Sequence, residues 1–472
     1  MNLDRLLKAR TVAVIGASNR PGSVGAKVME SLMASGRKVM PVNPKHKFIA
    51  GLPALPSTDD LPKDQVDLAV VVLPAHRAAE EVRRAAARGI PFIIVVAGGF
   101  SEQGEQGASL QQEMLRAAQD GGARLLGPNT IGLWVPDDGP DTLFVEHDFS
   151  LLSRSGCVAF LSQSGSVGVE ALGAASPYGY RMRAFISLGN KADLDECDFL
   201  EHFRDDSRCG CVAMYLESIS AGRRFLQAAR EVARVKPIIV LKAGRTAAGA
   251  GAVASHTGAL SGSHRVVEGA LAQFGLLSVN DDQALLDGAK ALALCPPARG
   301  GRTAVLTPAG GYGVMAADAI DSCDGELNLA QLSDESRKRI RQDSLEFASV
   351  ANPVDLTGSV DDDMFVAALG HVLADPQVDL ALVMCFLAPP GLSDDLAVRL
   401  AQAAQASDKP VVFVAMHGEK TAALCRKLTE AGSAAYPSLR QALEACRLLV
   451  RRGRWLQQHV QNSLPPTACG GM

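Results

Sequence analysis

No part of the chain is apolar for long enough to cross a bilayer. The longest apolar runs, such as Phe92 to Ala97, stop far short of the roughly 20 residues a spanning helix needs. Neither sign of charge dominates: a formal net charge of −4 over 472 residues points to no bulk nucleic-acid binder and no membrane-surface binder. Aromatic residues are scarce at 5%, beside 47% hydrophobic and 21% charged, a globular composition weighted towards Ala, Val, Leu and Gly. The 10 cysteines include no C-x-x-C, and Cys209-Gly210-Cys211 lacks a second pair at zinc-site spacing. They read as small buried hydrophobes or thiols in a reducing compartment. The start, Met1-Asn2-Leu3-Asp4-Arg5, has no basic segment followed by an apolar one, so the expected location is cytoplasmic. A Walker A lysine motif is also missing.

What is present is glycine, 45 residues of it, and short apolar runs alternating with Ala/Leu/Arg-rich helical patterns. That alternation predicts parallel sheets covered by helices on both faces, and the length calls for two to four domains. Three α/β blocks follow. A Rossmann-like, doubly wound domain spans 1–136, with strands at Thr11 to Ile15, Val39 to Val42, Leu68 to Leu73, Phe92 to Val96 and Arg124 to Leu126. Pro136-Asp137-Asp138-Gly139-Pro140 reads as a linker. A second block spans 148–295, with strands at Cys157 to Leu161, Arg183 to Ser187, Cys211 to Leu216 and Pro237 to Leu241. A third spans 298–460, with strands at Thr303 to Leu306, Leu380 to Cys385 and Pro410 to Ala415, and a last helix from Ser438 to Arg452. Blocks two and three open alike, with Phe160-Leu161-Ser162-Gln163-Ser164-Gly165 and Leu306-Thr307-Pro308-Ala309-Gly310-Gly311, which suggests two copies of one flavodoxin-like unit.

The first turn, Gly16-Ala17-Ser18-Asn19-Arg20-Pro21-Gly22-Ser23-Val24-Gly25, spaces its glycines too widely for a dinucleotide fingerprint. It still has the parts of a phosphate cradle: glycines that let N–H groups approach an anion, and a helix offering its positive end. After the second strand, Asn43 and Lys45 of Pro41-Val42-Asn43-Pro44-Lys45 suit a phosphorylated adenosine such as CoA better than plain NAD, and no hydride-transfer site is evident. Ser162, Gln163, Ser164 and Gly165 end a strand and open a helix, an arrangement that either stabilises an anion or caps the helix. Gly189-Asn190-Lys191-Ala192-Asp193 follows a strand, with Lys191 and Asp193 compatible with a solvated loop pair. Glu217 ends Met214-Tyr215-Leu216-Glu217, where a carboxylate can orient an imidazole or cap a turn. His256 sits among small residues and hydroxyls in Ala254-Ser255-His256-Thr257-Gly258-Ala259-Leu260-Ser261-Gly262, read as a flexible loop.

Together these segments resemble the NDP-forming acyl-CoA synthetases, relatives of succinyl-CoA synthetase, over nearly the whole chain. Leu73-Pro74-Ala75, Ala97-Gly98-Gly99-Phe100 and Gly127-Pro128-Asn129 sit at strand ends, as the CoA-domain segments of that family do. The resemblance implies that CoA binds at Gly16, Ala17, Ser18, Pro21, Gly22, Ser23, Val24, Gly25, Asn43, Lys45, Pro74, Gly98, Gly99 and Asn129. It also implies that His256 carries phosphate, assisted by Glu217, with Ser162 to Gly165 holding the phosphoryl group. Neutral imidazole is a good nucleophile near neutral pH, and capture on it divides one exchange into two easier ones. The segments Thr307 to Gly313 and Asn352 to Gly358 also match that family, without a chemistry readable from the residues. After residue 460 no room remains for an ATP-grasp domain, so the resemblance is to an α-type half needing a β-type partner that binds ADP or ATP with Mg²⁺. The expected reaction is acyl-CoA plus ADP and phosphate giving acid, CoA and ATP. The expected assembly is a hetero- or homo-oligomer, with neither nucleic acid nor membrane as partner. The alternatives are a non-catalytic CoA or acyl-CoA sensor, against which His256 and Glu217 speak, and a CoA transferase or lyase component, which no residue separately supports.

Overall fold

The structure, a computed structural model, describes residues 2–145, 153–257 and 264–459. The expected start of the second block at Asp148, the part of the histidine motif from Gly258 to Gly262 and the tail after 460 lie outside the described residues.

Among the described residues there are three large sheets and one two-stranded hairpin, and the five main strands of each large sheet share one spatial order, 2-1-3-4-5. In the first, Lys38–Val42, Thr11–Ile15, Leu68–Val71, Phe92–Val95 and Arg124–Leu126 lie side by side and parallel. The runs Leu68–Val71 and Phe92–Val95 are buried along their whole length, because helices such as Ala75–Ala87 and Glu105–Asp120 cover the sheet. That is why they read as continuous apolar runs with no alternation. The order reverses between Thr11–Ile15 and Leu68–Val71, and ligands of doubly wound sheets bind outside the carboxyl ends of strands at such a point.

The second sheet runs Leu276–Val279, Ile238–Lys242, Cys211–Leu216, Ser153–Ser162, Arg181–Ser187 and Leu133–Trp134. Its last strand pairs antiparallel with Phe185 and Ile186, so the chain joins this sheet before it reaches the Pro136–Pro140 turn. First and second sheets belong to one compact unit.

The second unit holds the third sheet: Asn328–Leu329, Arg302–Thr307, Leu380–Phe386, Val411–Met416 and Ala434–Tyr436, all parallel, with Val354–Asp355 beside Arg302–Thr307. Its core is built on Phe365, Phe413, Leu369 and Leu382. The helix Asp282–Leu294, expected in the second block, packs here against Leu439–His459 and is buried from Leu285 to Leu292. Within it Lys290 lies between the rings of Tyr180 and Tyr436, at 4.4 and 4.2 Å, and donates to the Ala435 carbonyl. Among the described residues no helix is long and apolar enough to cross a membrane.

Candidate active site at the strand ends of the first unit

The carboxyl end of Thr11–Ile15 opens the first turn. Gly16 has φ +94°, and a Cβ there would lie 2.9 Å from Leu73. At Gly25 a Cβ would meet the Gly16 carbonyl oxygen at 2.5 Å, so the helix Val24–Ala34 starts hard against the strand end. Gly22 (φ +70°) by contrast faces open space. Ser23 caps that helix by accepting from the Ala26 N–H, and Ser18 accepts from the Arg20 N–H. Asn43 donates to the Ala17 carbonyl at 2.8 Å and accepts from the Lys45 N–H at 2.8 Å, so its amide holds the turn's shape, while Lys45 is exposed. Asn19 ties the same turn to the hairpin Phe48–Ile49/Leu52–Pro53 by donating to the Phe48 carbonyl and accepting from the Ala50 N–H. Pro74, the N-cap of Ala75–Ala87, and Gly98-Gly99 stand at the neighbouring strand ends.

Strand ends of the first two sheets are joined directly. A Cβ on Gly189 would lie 2.2 Å from the Pro128 oxygen. The Asn190 N–H donates to that same oxygen at 2.9 Å. The Asn190 amide donates to Glu102 and Gln111, and its Oδ1 accepts from the Asn129 amide. Glu102 in turn accepts from the Gly99 and Phe100 N–H groups. Burial would raise the Glu102 carboxyl, but these donors outweigh it and hold it below the usual carboxylate range. Asn190 and Glu102, absent from the expected site, are therefore its joint. The isolated Gly-Asn in Gly189-Asn190 is the signal that could have marked it. Lys191 and Asp193, read as a solvated pair, are neither: Lys191 pairs with Glu196 with both side chains about 3% exposed, and Asp193 pairs with Arg124 at 2.9 Å.

At the end of Ser153–Ser162, the Ser162 hydroxyl is buried and donates to the Ser164 carbonyl. Helix Gly165–Ala175 begins tightly against Ile131 and Phe185, because Cβ atoms at Gly165 and Gly168 would fall 2.7 and 2.5 Å from them. The Gln163 amide is engaged by the next strand end: its Oε1 accepts from the Glu217 and Ser218 N–H groups and its Nε2 donates to Ser218 Oγ. Glu217 is 6% exposed. Burial and the neighbouring Glu217 push the Tyr215 phenol up to about 12, which keeps it a hydrogen-bond donor beside that carboxylate. A cavity of about 240 Å³ opens there, walled by Phe225, Leu226, Val267 and Leu271.

His256 corrects the loop expectation. It lies in the last turn of a helix, Ala247–Thr257, whose N-terminus is capped by Thr246 Oγ1 accepting from the Gly249 N–H. Alanines at 247, 248, 250, 252 and 254 supply the helix propensity that Gly249 and Gly251 weaken. This helix packs against the Ser101–Gln103 turn of the first domain, next to Glu102 and Asn190. The structure thus brings the first turn, the Gly98-Gly99 and Asn129 segments, Ser162–Gly165, Glu217 and the His256 helix to one edge of the two sheets.

The two adjoining α/β domains, with their strand ends hydrogen-bonded together, are matched by family models that define a CoA ligase of the succinyl-CoA ligase type. Residues 10–136 match the CoA binding domain family, 155–292 the succinyl-CoA ligase like flavodoxin domain and 303–458 the ligase-CoA domain. The α subunit of acetate–CoA ligase I (ADP-forming) of Pyrococcus furiosus is 34% identical over 98% of this chain and 100% of its own length. Acetate–CoA ligase I (ADP-forming) of Archaeoglobus fulgidus is 35% identical over 81% of this chain, which spans 54% of that longer relative. The solved structure of the dinucleotide-forming acetyl-coenzyme A synthetase 1 of Ca. Korarchaeum cryptofilum, in complex with phosphate and ADP, matches with TM-score 0.88 at 34% identity, over 98% of this chain and 99% of that one. The chain belongs to the family of ADP-forming acyl-CoA ligases, as an α-type member, and is an acid–thiol ligase.

Proposed function

We propose that this chain interconverts acyl-CoA, phosphate and ADP with free acid, CoA and ATP, through an acyl phosphate and a phosphorylated His256, together with a β-type subunit of ATP-grasp fold. One observation carries the reading: the His256 helix lies against Ser101–Gln103, where Asn190 and Glu102 fasten the ligand edges of the first two domains together.

CoA lies over the first turn, with N–H groups of Gly16 to Gly25 on its pyrophosphate and Lys45 on its adenosine phosphate. Asn43 acts by shaping the turn, since both ends of its amide are engaged within it. Pro74, Gly98, Gly99 and Asn129 line the path of the pantetheine towards the joint. A phosphate oxygen attacks the thioester carbonyl, the C–S bond breaks, and CoA leaves as the thiol after taking up a proton. An imidazole nitrogen of His256 then attacks phosphorus, and the acid leaves as carboxylate. The phosphoryl group is held by Ser164 and by N–H groups at the start of Gly165–Ala175, a helix end suited to an anion. Ser162 and Gln163 support that turn, because their polar groups already have protein partners. Glu217 orients the imidazole and balances its positive charge. In the last step ADP attacks phosphorus and the P–N bond breaks. Mg²⁺ accompanies the nucleotide on the partner subunit and neutralises its phosphates.

Mixing the chain with a candidate β-type subunit, acetyl-CoA, phosphate and ADP tests the reading. The expected result is ATP formed in step with free CoA. Binding of acetyl-CoA without ATP formation, across a panel of β-type subunits and acyl-CoAs, would make the chain a sensor.

A further inference from the structure

Every backbone polar group of the Glu217–Ser218 dipeptide has a side-chain partner. The two N–H groups donate to Gln163 Oε1 at 2.9 and 3.0 Å. The Glu217 carbonyl accepts from Lys242 Nζ at 2.7 Å, and the Ser218 carbonyl accepts from Lys191 Nζ at 2.7 Å. The Ser218 hydroxyl accepts from Gln163 Nε2 at 3.0 Å. The three side chains come from three different strand ends: Gln163 after Ser153–Ser162, Lys191 after Arg181–Ser187, and Lys242 as the last residue of Ile238–Lys242.

Glu217 is buried, so the backbone groups of this turn need partners from the protein, which a single neighbouring strand could supply. Here two ammonium groups are drawn together instead. Lys191 has φ +54°, a left-handed conformation uncommon for a residue with a side chain. Its ammonium is held by Glu196 at 3.0 Å. Burial lowers the pKa of Lys242 and the Lys191 charge lowers it further, opposed by Glu217. Backbone strain and like charges close together are features that persist where the surroundings over-determine them, and they gather at functional sites.

We infer that Lys242, Lys191 and Gln163 are positioning residues that clamp the Glu217–Ser218 turn from three strand ends, so that the Glu217 carboxylate is preset for the imidazole it serves. The inference rests on the reading of Glu217 as the partner of His256. Holding the Glu217 backbone at N–H and C=O fixes the point from which its carboxylate projects, and preset dipoles stabilise developing charge without reorganising. The described side-chain bonds of Lys242 and Gln163 reach neither the first turn nor the Gly98-Gly99 segment, so CoA binding is independent of these two residues.

The test uses the full chain with its β-type subunit and ATP, and reads the rate of His256 phosphorylation beside CoA affinity. Lys242→Met should slow phosphorylation about tenfold or more and leave CoA affinity within about twofold. Lys242→Arg should restore most of the rate, since a guanidinium can still donate to the Glu217 carbonyl. In a Glu217→Gln background, Lys242→Met should cost less than about threefold further, because residues acting through one another are not additive. Gln163→Met removes the N–H acceptor without changing charge and should show the same non-additivity, and it decides the matter if Lys242→Met does not fold. An equal loss from the lysine or glutamine change in both backgrounds would overturn the inference, as would no loss from either. No effect of Glu217→Gln on its own would overturn the underlying assignment of Glu217, and the clamp with it.

Discussion

At the scale of single residues, the glycines of the first turn separate by what a side chain would meet. Gly25 cannot accept a Cβ, because the Gly16 carbonyl occupies the place, whereas at Gly22 nothing lies within 4 Å. Gly22→Asp is therefore compatible with folding, as Asp tolerates the left-handed conformation better than most residues, and it sets a negative charge where the pyrophosphate should approach. CoA affinity should fall about tenfold or more, about 1.4 kcal/mol, with unfolding temperature little changed. Unchanged affinity by titration calorimetry would remove the CoA assignment of this turn. A second residue gives a pH signature. Burial pushes the Asp141 carboxyl up to about 7, against the Leu143 N–H that pulls it down. The folded chain then binds more protons than the unfolded chain between about pH 4 and 7, so this group's contribution is largest at low pH and is lost as pH rises through about 7. The slope is at most about 1.4 kcal/mol per pH unit. Unfolding temperatures of wild type and Asp141→Asn, compared from pH 4.5 to 8, should lie closest at low pH, where both side chains are neutral, and separate as pH rises through about 7, with wild type losing stability relative to the variant. Curves parallel throughout would show that Asp141 does not titrate in this window.

At the scale of elements, what could be read depended on length and burial. The strand Cys211–Leu216 was legible in full, because five of its six positions are buried, with Tyr215 half-buried, and make a run that no loop imitates. Leu133–Trp134, Asn328–Leu329 and Ala434–Tyr436 were not, being two or three residues long with no period to detect. The closing helix extends to His459, beyond the expected Arg452, because Trp455 continues its buried face through an Arg-rich stretch. The His256 segment was misread as a loop for a related reason: small residues mark flexible turns and good helices alike, and the alanines prevail over Gly249 and Gly251. In the site itself, residue identity pointed to Glu217 and Ser164, but Asn190, Glu102 and Lys242 gain their roles only when separate strand ends meet. Gly189 measures that meeting. Its φ is +58° and a Cβ would fall 2.2 Å from the Pro128 oxygen, a backbone atom that cannot step aside. Gly189→Ala should therefore destabilise the first unit by about 2 kcal/mol or more. A clear drop in unfolding temperature checks this, and an unchanged one would mean that the two strand ends are not in contact as described.

At the scale of the whole molecule, one strand order, 2-1-3-4-5, is used three times. The resemblance between the second and third openings was visible in sequence, but the kinship of the first sheet was not, because its turn carries glycines where the second carries serines. Using one architecture repeatedly puts every ligand turn at a carboxyl sheet edge, so two domains can share a site simply by joining those edges. In the first unit that joint lies at Asn190, and the His256 helix rests beside it. The account stands or falls on what His256 carries. The direct measurement is phosphoryl labelling of the chain, by acyl-CoA with radioactive phosphate, or by labelled ATP in the presence of the β-type subunit. The account predicts a label that is lost in acid and survives base, as a P–N bond requires, that maps to His256, and that is absent in His256→Ala while CoA binding remains. Ser255→Ala and Thr257→Ala should still be labelled. A label that survives acid, or one that persists in His256→Ala, would contradict it.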